Sequence, residues 1–138
     1  MSREKEESTR LDLDFQKLER VAATGAAVLP VVVQDAETGE ILTLAYANEV
    51  ALRETLARRF AVFWSTSRNE LWVKGATSGD HLELVDVRVN CEQNSLLYRV
   101  RRTTGGACHT CGADGAARPT CYYRRVDSAE GDLVFIHP

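Results

Sequence analysis

The chain is poor in the features that mark several large classes of protein. Its 138 residues include only three Pro and nine Gly, and 44% are hydrophobic, which argues against collagen-like and disordered chains. Its most apolar stretch, Ala26 to Val33, contains Pro30 and is far shorter than the roughly 18 residues of a membrane span. Positive charge is not in excess, since 17 basic residues stand against 20 acidic ones. We therefore expect neither a nucleic-acid nor a membrane partner.

The first ten residues carry charges of both signs and lack the apolar segment of a secretory signal. We therefore expect a cytoplasmic protein. Residues 1–10 are predicted to be a solvated, mobile arm, and residues 11–138 a single domain. In a reducing compartment, the four cysteines are expected to be metal ligands or buried thiols rather than disulfides.

Two short helices are predicted from hydrophobic periodicity. The spacing of apolar residues from Phe15 to Ala22 predicts an amphipathic helix that ends at Gly25. Asn48 is expected to cap a second helix over residues 49–59. The buried face of this second helix is expected to consist of Leu52, Leu56 and Phe60.

The remaining pattern predicts about seven β-strands, several of them in hairpins, and a bulge near Val85. The segments with strand character are residues 28–34, 41–46, 61–66, 71–73, 81–90, 95–102, 121–126 and 133–136. With only two helices, this favours an α+β fold dominated by β-strands.

Cysteine and histidine residues form the most informative set of candidate ligands. Cys108-His-Thr-Cys111 has the CxxC spacing of a metal turn or a redox pair, and Cys121 follows across a loop. A catalytic zinc usually takes three protein ligands and a water. Alternatively, Cys91 is a small buried hydrophobe, and Cys108 and Cys111 are loop thiols. A thioredoxin-like pair is disfavoured because the strand before the motif and the helix after it are not predicted.

Hydroxyls, cations and glycines are concentrated between Trp64 and Gly79, a composition that suits a phosphate or another anion. The candidate binding residues are Ser65, Ser67, Arg68, Lys74, Thr77 and Ser78. A plain hairpin with polar turns would also place Ser, Asn and Gly here, so composition alone leaves both interpretations open.

Asn90, Glu92 and Asn94 are candidate oxygen ligands for a hard cation. If the segment is extended, these three side chains share one face and Cys91 lies on the other. One carboxylate with two amides makes a weak Mg²⁺ site. The alternative is a solvated strand end.

Several motifs along the chain occur in a distinctive order. They are Val33-Gln-Asp-Ala-Glu-Thr-Gly-Glu40, Leu44-Ala-Tyr-Ala-Asn-Glu49, Trp64-Ser-Thr-Ser-Arg-Asn-Glu-Leu-Trp72, Lys74-Gly-Ala-Thr-Ser-Gly79, Ala107-Cys-His-Thr110 and Cys121-Tyr-Tyr-Arg-Arg125. In order and spacing, this set resembles the phosphoribosyl-AMP cyclohydrolase family of histidine biosynthesis.

The resemblance implies an intertwined homodimer with a zinc held by Cys108 and Cys121 of one subunit and Cys91 of the other. It implies a phosphorylated substrate, N1-phosphoribosyl-AMP, whose N1–C6 bond is hydrolysed. Zinc lowers the pKa of a bound water towards about 7 for attack on C6. His109 is the candidate general base or proton shuttle; alternatively, it orients a ligand or is a plain loop histidine.

The chain departs from the family pattern in ways that concern substrate and metal. The family has three aspartates where this chain has Asn90, Glu92 and Asn94, so Mg²⁺ binding is expected to be weak or lost. Thr66 stands where Arg is common in the family, and Ala76 where Glu is usual.

The loop between the later cysteines also differs from the family. It is longer by the segment Gly112 to Arg118, and Cys111 stands where glycine is expected. A fourth thiolate would occupy the position that a catalytic water needs, so we expect Cys111 to lie outside the zinc ligands.

Two alternative functions remain open from the sequence. A diverged paralogue would keep the fold and zinc but hydrolyse or deaminate another purine-like or amidine compound. A non-catalytic binding module would use zinc only to join its dimer, and all four cysteines would then be ligands.

Overall fold

The computed structural model describes residues 3–129 and 131–138. Its helices and strands are α1 (Arg3–Glu7), α2 (Lys17–Ala23), β1 (Leu29–Asp35), β2 (Ile41–Ala47), α3 (Glu49–Arg58), β3 (Val62–Ser65), β4 (Glu70–Val73), β5 (Leu82–Val89), β6 (Leu96–Arg102), β7 (Arg124–Val126) and β8 (Leu133–Phe135). The β-dominated α+β fold is confirmed, with one more helix in these residues than predicted. No helix in these residues is long and apolar enough to span a membrane.

A four-stranded sheet in the order β2-β1-β6-β5 forms the centre of the fold. Strand β1 pairs antiparallel with β2 and parallel with β6, and β5 returns antiparallel to β6. The pairing of β5 with β6 shifts register between Leu84 and Asp86, which confirms the predicted bulge near Val85. In β5, Leu82 and Leu84 alternate in one phase, and the valines that follow alternate in the other. The extra residue of the bulge reconciles these two phases.

The hairpin of β3 and β4 packs against this sheet through aromatic rings. Phe63 on β3 stacks on Tyr98 of β6 with ring centroids 5.8 Å apart, and it contacts Trp72 of β4 at 5.5 Å. Ala61 donates its backbone N–H to Leu82 at 2.9 Å, which ties the start of β3 to β5. Buried aromatic contacts of this kind fix the hairpin on the sheet.

Helix α3 begins as predicted but buries a different face. The Asn48 side chain accepts a hydrogen bond from the Ala51 N–H at 2.9 Å, so the N-cap is confirmed. The expected buried face of Leu52, Leu56 and Phe60 is confirmed only in part. Leu52 is partly buried against the core, but Leu56 is 47% exposed, and the fully buried residues are Ala51 and Thr55. The Thr55 hydroxyl accepts from the Val62 N–H at 3.0 Å, which turns the helix's small residues towards β3.

Helix α2 is confirmed, and Gly25 follows it with a positive φ of 70°. Its apolar stripe, however, is not buried within the chain. Val21 is buried, whereas Phe15 and Leu18 are 90% and 70% exposed. The amphipathic pattern therefore leaves an apolar surface open on this side of the chain.

The part of residues 1–10 that the structure describes is folded against the body of the chain. Helix α1 lies there, and Arg10 forms a β-bridge with Asp132. The sequence predicts a solvated arm here, whereas the structure has a helix that makes specific contacts, described below. The domain boundary after residue 10 stays a prediction.

The turn between β1 and β2 is held by a buried carboxylate. Asp35 accepts hydrogen bonds from the N–H groups of Glu37 at 2.8 Å and Thr38 at 3.0 Å, and from Arg102 Nε at 2.8 Å. Burial would raise the pKa of Asp35, but these hydrogen bonds and the Arg102 charge outweigh it and lower that pKa. The ionised carboxylate is therefore the form that the fold stabilises.

We predict that Asp35→Asn lowers the free energy of unfolding at pH 7 by about 2 kcal/mol, since a charge-assisted hydrogen bond is lost from a buried position. Because the pKa of Asp35 is lowered by folding, the carboxylate stabilises the fold above its unfolded pKa of about 3.9. That contribution is lost as the pH falls through the folded pKa. Urea denaturation at pH 7 and pH 3 measures both values.

The matched control for this change is Glu37→Gln, on the same turn, where the side chain is exposed. This variant should unfold like the parent at both pH values. Equal stability of Asp35→Asn and the parent at pH 7, or a difference that grows at pH 3, would contradict the role given to the Asp35 carboxylate.

Candidate active site

Two cysteines distant in sequence are brought together beside the edge of the main sheet. The thiols of Cys108 and Cys121 lie close enough for each to shift the pKa of the other. Cys121 is fixed by β2, because its N–H donates to the Leu42 carbonyl at 2.7 Å. Cys108 is fixed by the end of the intervening loop, because its N–H donates to the Arg118 carbonyl at 3.0 Å. The loop therefore folds back, as its length allows.

The pKa values of the two thiols are shifted in opposite directions. The hydrogen bond from Cys121, assisted by Thr110, lowers the pKa of Cys108 to about 5. The same interaction with Cys108 raises the pKa of Cys121. Cys108 is therefore a thiolate near neutral pH, and a thiolate is the form of cysteine that binds metal ions.

Lys74 places a positive charge beside this pair. Its residue is 5% exposed, and its ammonium lies 6.0 Å from the ring centroid of Trp72. The Lys74 charge acts on Cys121 by favouring the thiolate form. A buried ammonium next to thiols makes this region suited to anionic groups.

The hydroxyl-rich turn between β3 and β4 is confirmed. Ser65 Oγ lies 3.4 Å from Ser67 Oγ and accepts the Arg68 N–H at 3.2 Å. The Arg68 side chain is 61% exposed and its Nε lies 3.6 Å from Glu70 Oε1. These residues come together as a turn whose hydroxyls and guanidinium are accessible to a ligand.

The loop after Lys74 is compact, and it carries Thr77 and Ser78 on its exposed side. Ser78 Oγ accepts the Asp80 N–H at 3.2 Å, and Asp80 Oδ1 accepts from the Thr104 hydroxyl at 2.5 Å. Gly75 has a φ of +86°, and an added Cβ would lie only 2.4 Å from the backbone nitrogen of His81. Only glycine fits at Gly75.

We predict that Gly75→Ala destabilises the chain more strongly than Gly79→Ala. Both glycines have a positive φ, at +86° and +84°, so both substitutions carry a backbone penalty of about 1–2 kcal/mol. Only at Gly75 does the new methyl group collide with backbone, since nothing lies within 4 Å of a Cβ at Gly79. Thermal unfolding of the two variants measures the difference, and equal melting temperatures would contradict the close approach.

The candidate Mg²⁺ ligands lie in the turn between β5 and β6, so the extended geometry considered for them is wrong. Gln93, within the turn, has a φ of 54°. The turn nevertheless brings the three side chains together. Asn90 Nδ2 donates to Asn94 Oδ1 at 2.6 Å, and Asn94 Nδ2 donates to Glu92 Oε2 at 3.0 Å.

The other two cysteines lie apart from the thiol pair. Cys91 is exposed on the β5–β6 turn, and Cys111 is exposed beside an isolated bridge with Ala117. Within residues 3–129 and 131–138, no group of three or more His, Cys, Asp or Glu side chains could hold a metal ion. Within the described residues, one chain therefore brings together only two of the thiols, those of Cys108 and Cys121.

His109 follows Cys108 directly, and its side chain is 67% exposed. Its ring Nε2 contacts the carboxylate of Glu6 on α1. The sequence pattern did not indicate Glu6, nor Thr43, which hydrogen bonds to the Cys121 thiol. Neither residue carries a local signal, because each meets the site only through long-range folding.

A thiolate beside a thiol, a buried ammonium and an accessible imidazole are groups that a hydrolytic centre can use. Residues 43–123 match the family model described as phosphoribosyl-AMP cyclohydrolase. The phosphoribosyl-AMP cyclohydrolase of Hyphomonas neptunium is 46% identical over 100 residues, which cover 72% of this chain and 71% of that protein. That of Archaeoglobus fulgidus is 46% identical over 107 residues, or 78% of this chain and 90% of that protein.

The chain belongs to the phosphoribosyl-AMP cyclohydrolase family, whose members are hydrolases that act on a cyclic amidine. It is also 49% identical over 109 residues to the histidine biosynthesis bifunctional protein HisIE of Thermus thermophilus. This alignment covers 79% of the chain and 48% of the bifunctional protein, so the chain spans about half the length of that relative.

Proposed function

We propose that this chain is a cytoplasmic, zinc-dependent hydrolase that opens the adenine ring of N1-phosphoribosyl-AMP in histidine biosynthesis. The observation that carries the proposal is the Cys108–Cys121 pair with the Lys74 ammonium beside it. Family membership supports the same reaction. In this reaction water adds to C6, the N1–C6 bond breaks, and N1 takes up a proton as C6 becomes a carbonyl.

The thiol pair fits zinc but needs a further protein ligand. Two cysteine sulfurs in contact, one of them a thiolate near neutral pH, are the soft donors that zinc prefers. Cys91 of a second copy would complete three thiolates and leave one position for water. Its exposure on the β5–β6 turn supports this, and the exposed apolar side chains Phe15 and Leu18 support a homodimer.

When bound, zinc supplies the Lewis acidity that makes a water molecule acidic near neutral pH. The residues of the chain do the remaining work. Arg68 and Lys74 bind phosphate oxygens, since both are cations placed on the loops that suit an anion. His109, next to Cys108, accepts the proton that the attacking water loses.

Four hydroxyls complete the proposed substrate contacts, and they belong to Ser65, Ser67, Thr77 and Ser78. The hydroxyl oxygens of Ser65 and Ser67 lie 3.4 Å apart on the β3–β4 turn. Because a hydroxyl hydrogen can rotate, both groups can donate to a phosphate. Cys111 stays outside the zinc ligands, because the thiol in contact with Cys108 belongs to Cys121.

A hybrid dimer tests the shared site. We predict that a dimer of one Cys91→Ala subunit and one Cys108→Ala subunit keeps about half of the parental turnover of N1-phosphoribosyl-AMP, because one of its two sites is intact. Each variant alone should be inactive and lack stoichiometric zinc. Two affinity tags purify the hybrid, and ring opening is followed by ultraviolet absorbance.

An inactive hybrid would contradict the shared site, since a site built within one chain leaves no intact copy in this dimer. Absence of turnover by the zinc-loaded parental protein would overturn the proposed reaction itself. If either variant alone turns over the substrate, the cysteine substituted in that variant is not a required zinc ligand.

We predict weak Mg²⁺ binding at the β5–β6 turn. The amide groups of Asn90 and Asn94 hydrogen bond to each other and to Glu92. Of these three described side chains, Glu92 alone carries a formal negative charge. Changing all three residues to Asp should tighten Mg²⁺ binding at least roughly tenfold, as measured by calorimetry. Tight stoichiometric binding of Mg²⁺ at this turn of the parental protein would contradict the charge argument.

A further inference from the structure

Helix α1 is docked on the loop that carries His109. The Arg118 side chain is 3% exposed, and its two terminal nitrogens each lie 2.9 Å from a different carboxylate oxygen of Glu7. The Tyr123 hydroxyl donates to the Glu6 carbonyl at 2.6 Å. Arg124 donates to the carbonyls of Lys5 and Ser8 at 2.8 Å. Backbone and side-chain bonds together fix this short helix in place.

This docking sets the Glu6 carboxylate against one nitrogen of the His109 ring. Glu6 contacts Nε2, and its side chain is only 13% exposed, whereas His109 is 67% exposed. A carboxylate accepts hydrogen bonds, so at a neutral imidazole it selects the tautomer with hydrogen on Nε2. The lone pair of Nδ1 is then free to accept a proton.

We propose that Glu6 is a positioning residue that holds His109 in the Nε2–H tautomer and presents Nδ1 to the reaction. The inference rests on the proposed function, in which His109 accepts the proton of the attacking water. Glu6 lies outside residues 43–123, the part of the chain that matches the family model. Helix α1 therefore brings a carboxylate from outside that segment to the loop that carries Cys108 and His109.

Arg118 holds helix α1, and with it Glu6, beside the turn that carries His109. The Arg118 backbone accepts the N–H groups of Ala107 and Cys108 at 3.0 Å and donates to the Thr110 carbonyl at 2.9 Å. The same residue pairs with Glu7 through its side chain. One residue thus links the His109 turn to the helix that carries Glu6, which fixes the two partners relative to each other.

The test compares Glu6→Ala and Glu6→Gln in the zinc-loaded full chain, with Glu4→Ala on the same helix as control. We expect Glu6→Ala to lower kcat roughly tenfold with KM unchanged, because the imidazole loses its orientation. Glu6→Gln, whose amide oxygen still accepts a hydrogen bond, should restore most of kcat. Glu4→Ala should match the parent, and all variants should keep their zinc and melting temperature.

A double-variant cycle separates positioning from general stability. Glu6→Ala added to His109→Ala should cause no further loss, since the effect of Glu6 passes through the imidazole. ¹⁵N NMR of the His109 ring should show the Nε2–H tautomer in the parent and Glu6→Gln, and a mixture in Glu6→Ala.

Parental kcat and an unchanged His109 tautomer in Glu6→Ala would overturn the inference. An equal loss from Glu6→Ala with and without His109 would also overturn it, because the role would then be structural. If the parental protein shows no turnover, the proposed function fails, and the NMR tautomer alone decides whether Glu6 orients the ring.

Discussion

The ion pair between Arg118 and Glu7 is the interaction on which the candidate site most depends. It joins residues 111 positions apart, and its guanidinium also donates to the His137 carbonyl at 3.0 Å and lies 4.2 Å from the Tyr123 ring centroid. A buried guanidinium without its carboxylate would be strongly unfavourable. Loss of Glu7 would therefore weaken the other contacts of the Arg118 side chain as well. The helix near the N-terminus, the thiol loop and the last residues are therefore one cooperative unit.

Strand β2 supplies the second anchor of that loop. Cys121 and the Thr120 hydroxyl bond to carbonyls of Leu42 and Ile41, while Arg102 bonds to the Pro119 carbonyl at 2.9 Å. Arg102 also pairs with Asp35 in the β1–β2 turn. The position of one thiol is thus set by the central sheet and that of the other by Arg118. Both ends of the loop between the two thiols are therefore held by the rest of the fold.

Local patterns in the sequence predicted most of the fold and only part of the site. The Asn48 cap, the Val85 bulge and the hairpins depend on neighbours within a few residues, so periodicity and turn chemistry identify them. The buried face of α3 depends on Thr55 meeting β3, and the docking of α1 depends on Glu7 meeting Arg118. These contacts form only in the folded chain and leave no periodic pattern in the sequence. For this reason the charged N-terminal residues indicate a solvated arm when the sequence is considered alone.

The departures from the family pattern fall into two physical kinds. At the β5–β6 turn, amides replace carboxylates and bond to one another, so the turn needs no cation to relieve charge repulsion. At the thiol loop, the segment Gly112 to Arg118 ends in a buried cation, Arg118, whose charge is balanced by the Glu7 carboxylate of α1. The thiol pair and the Lys74 ammonium lie together in the structure, whereas we predict that the β5–β6 turn binds a hard cation weakly. We therefore place the chemistry of this chain at the thiol pair and expect the β5–β6 turn to contribute through Cys91.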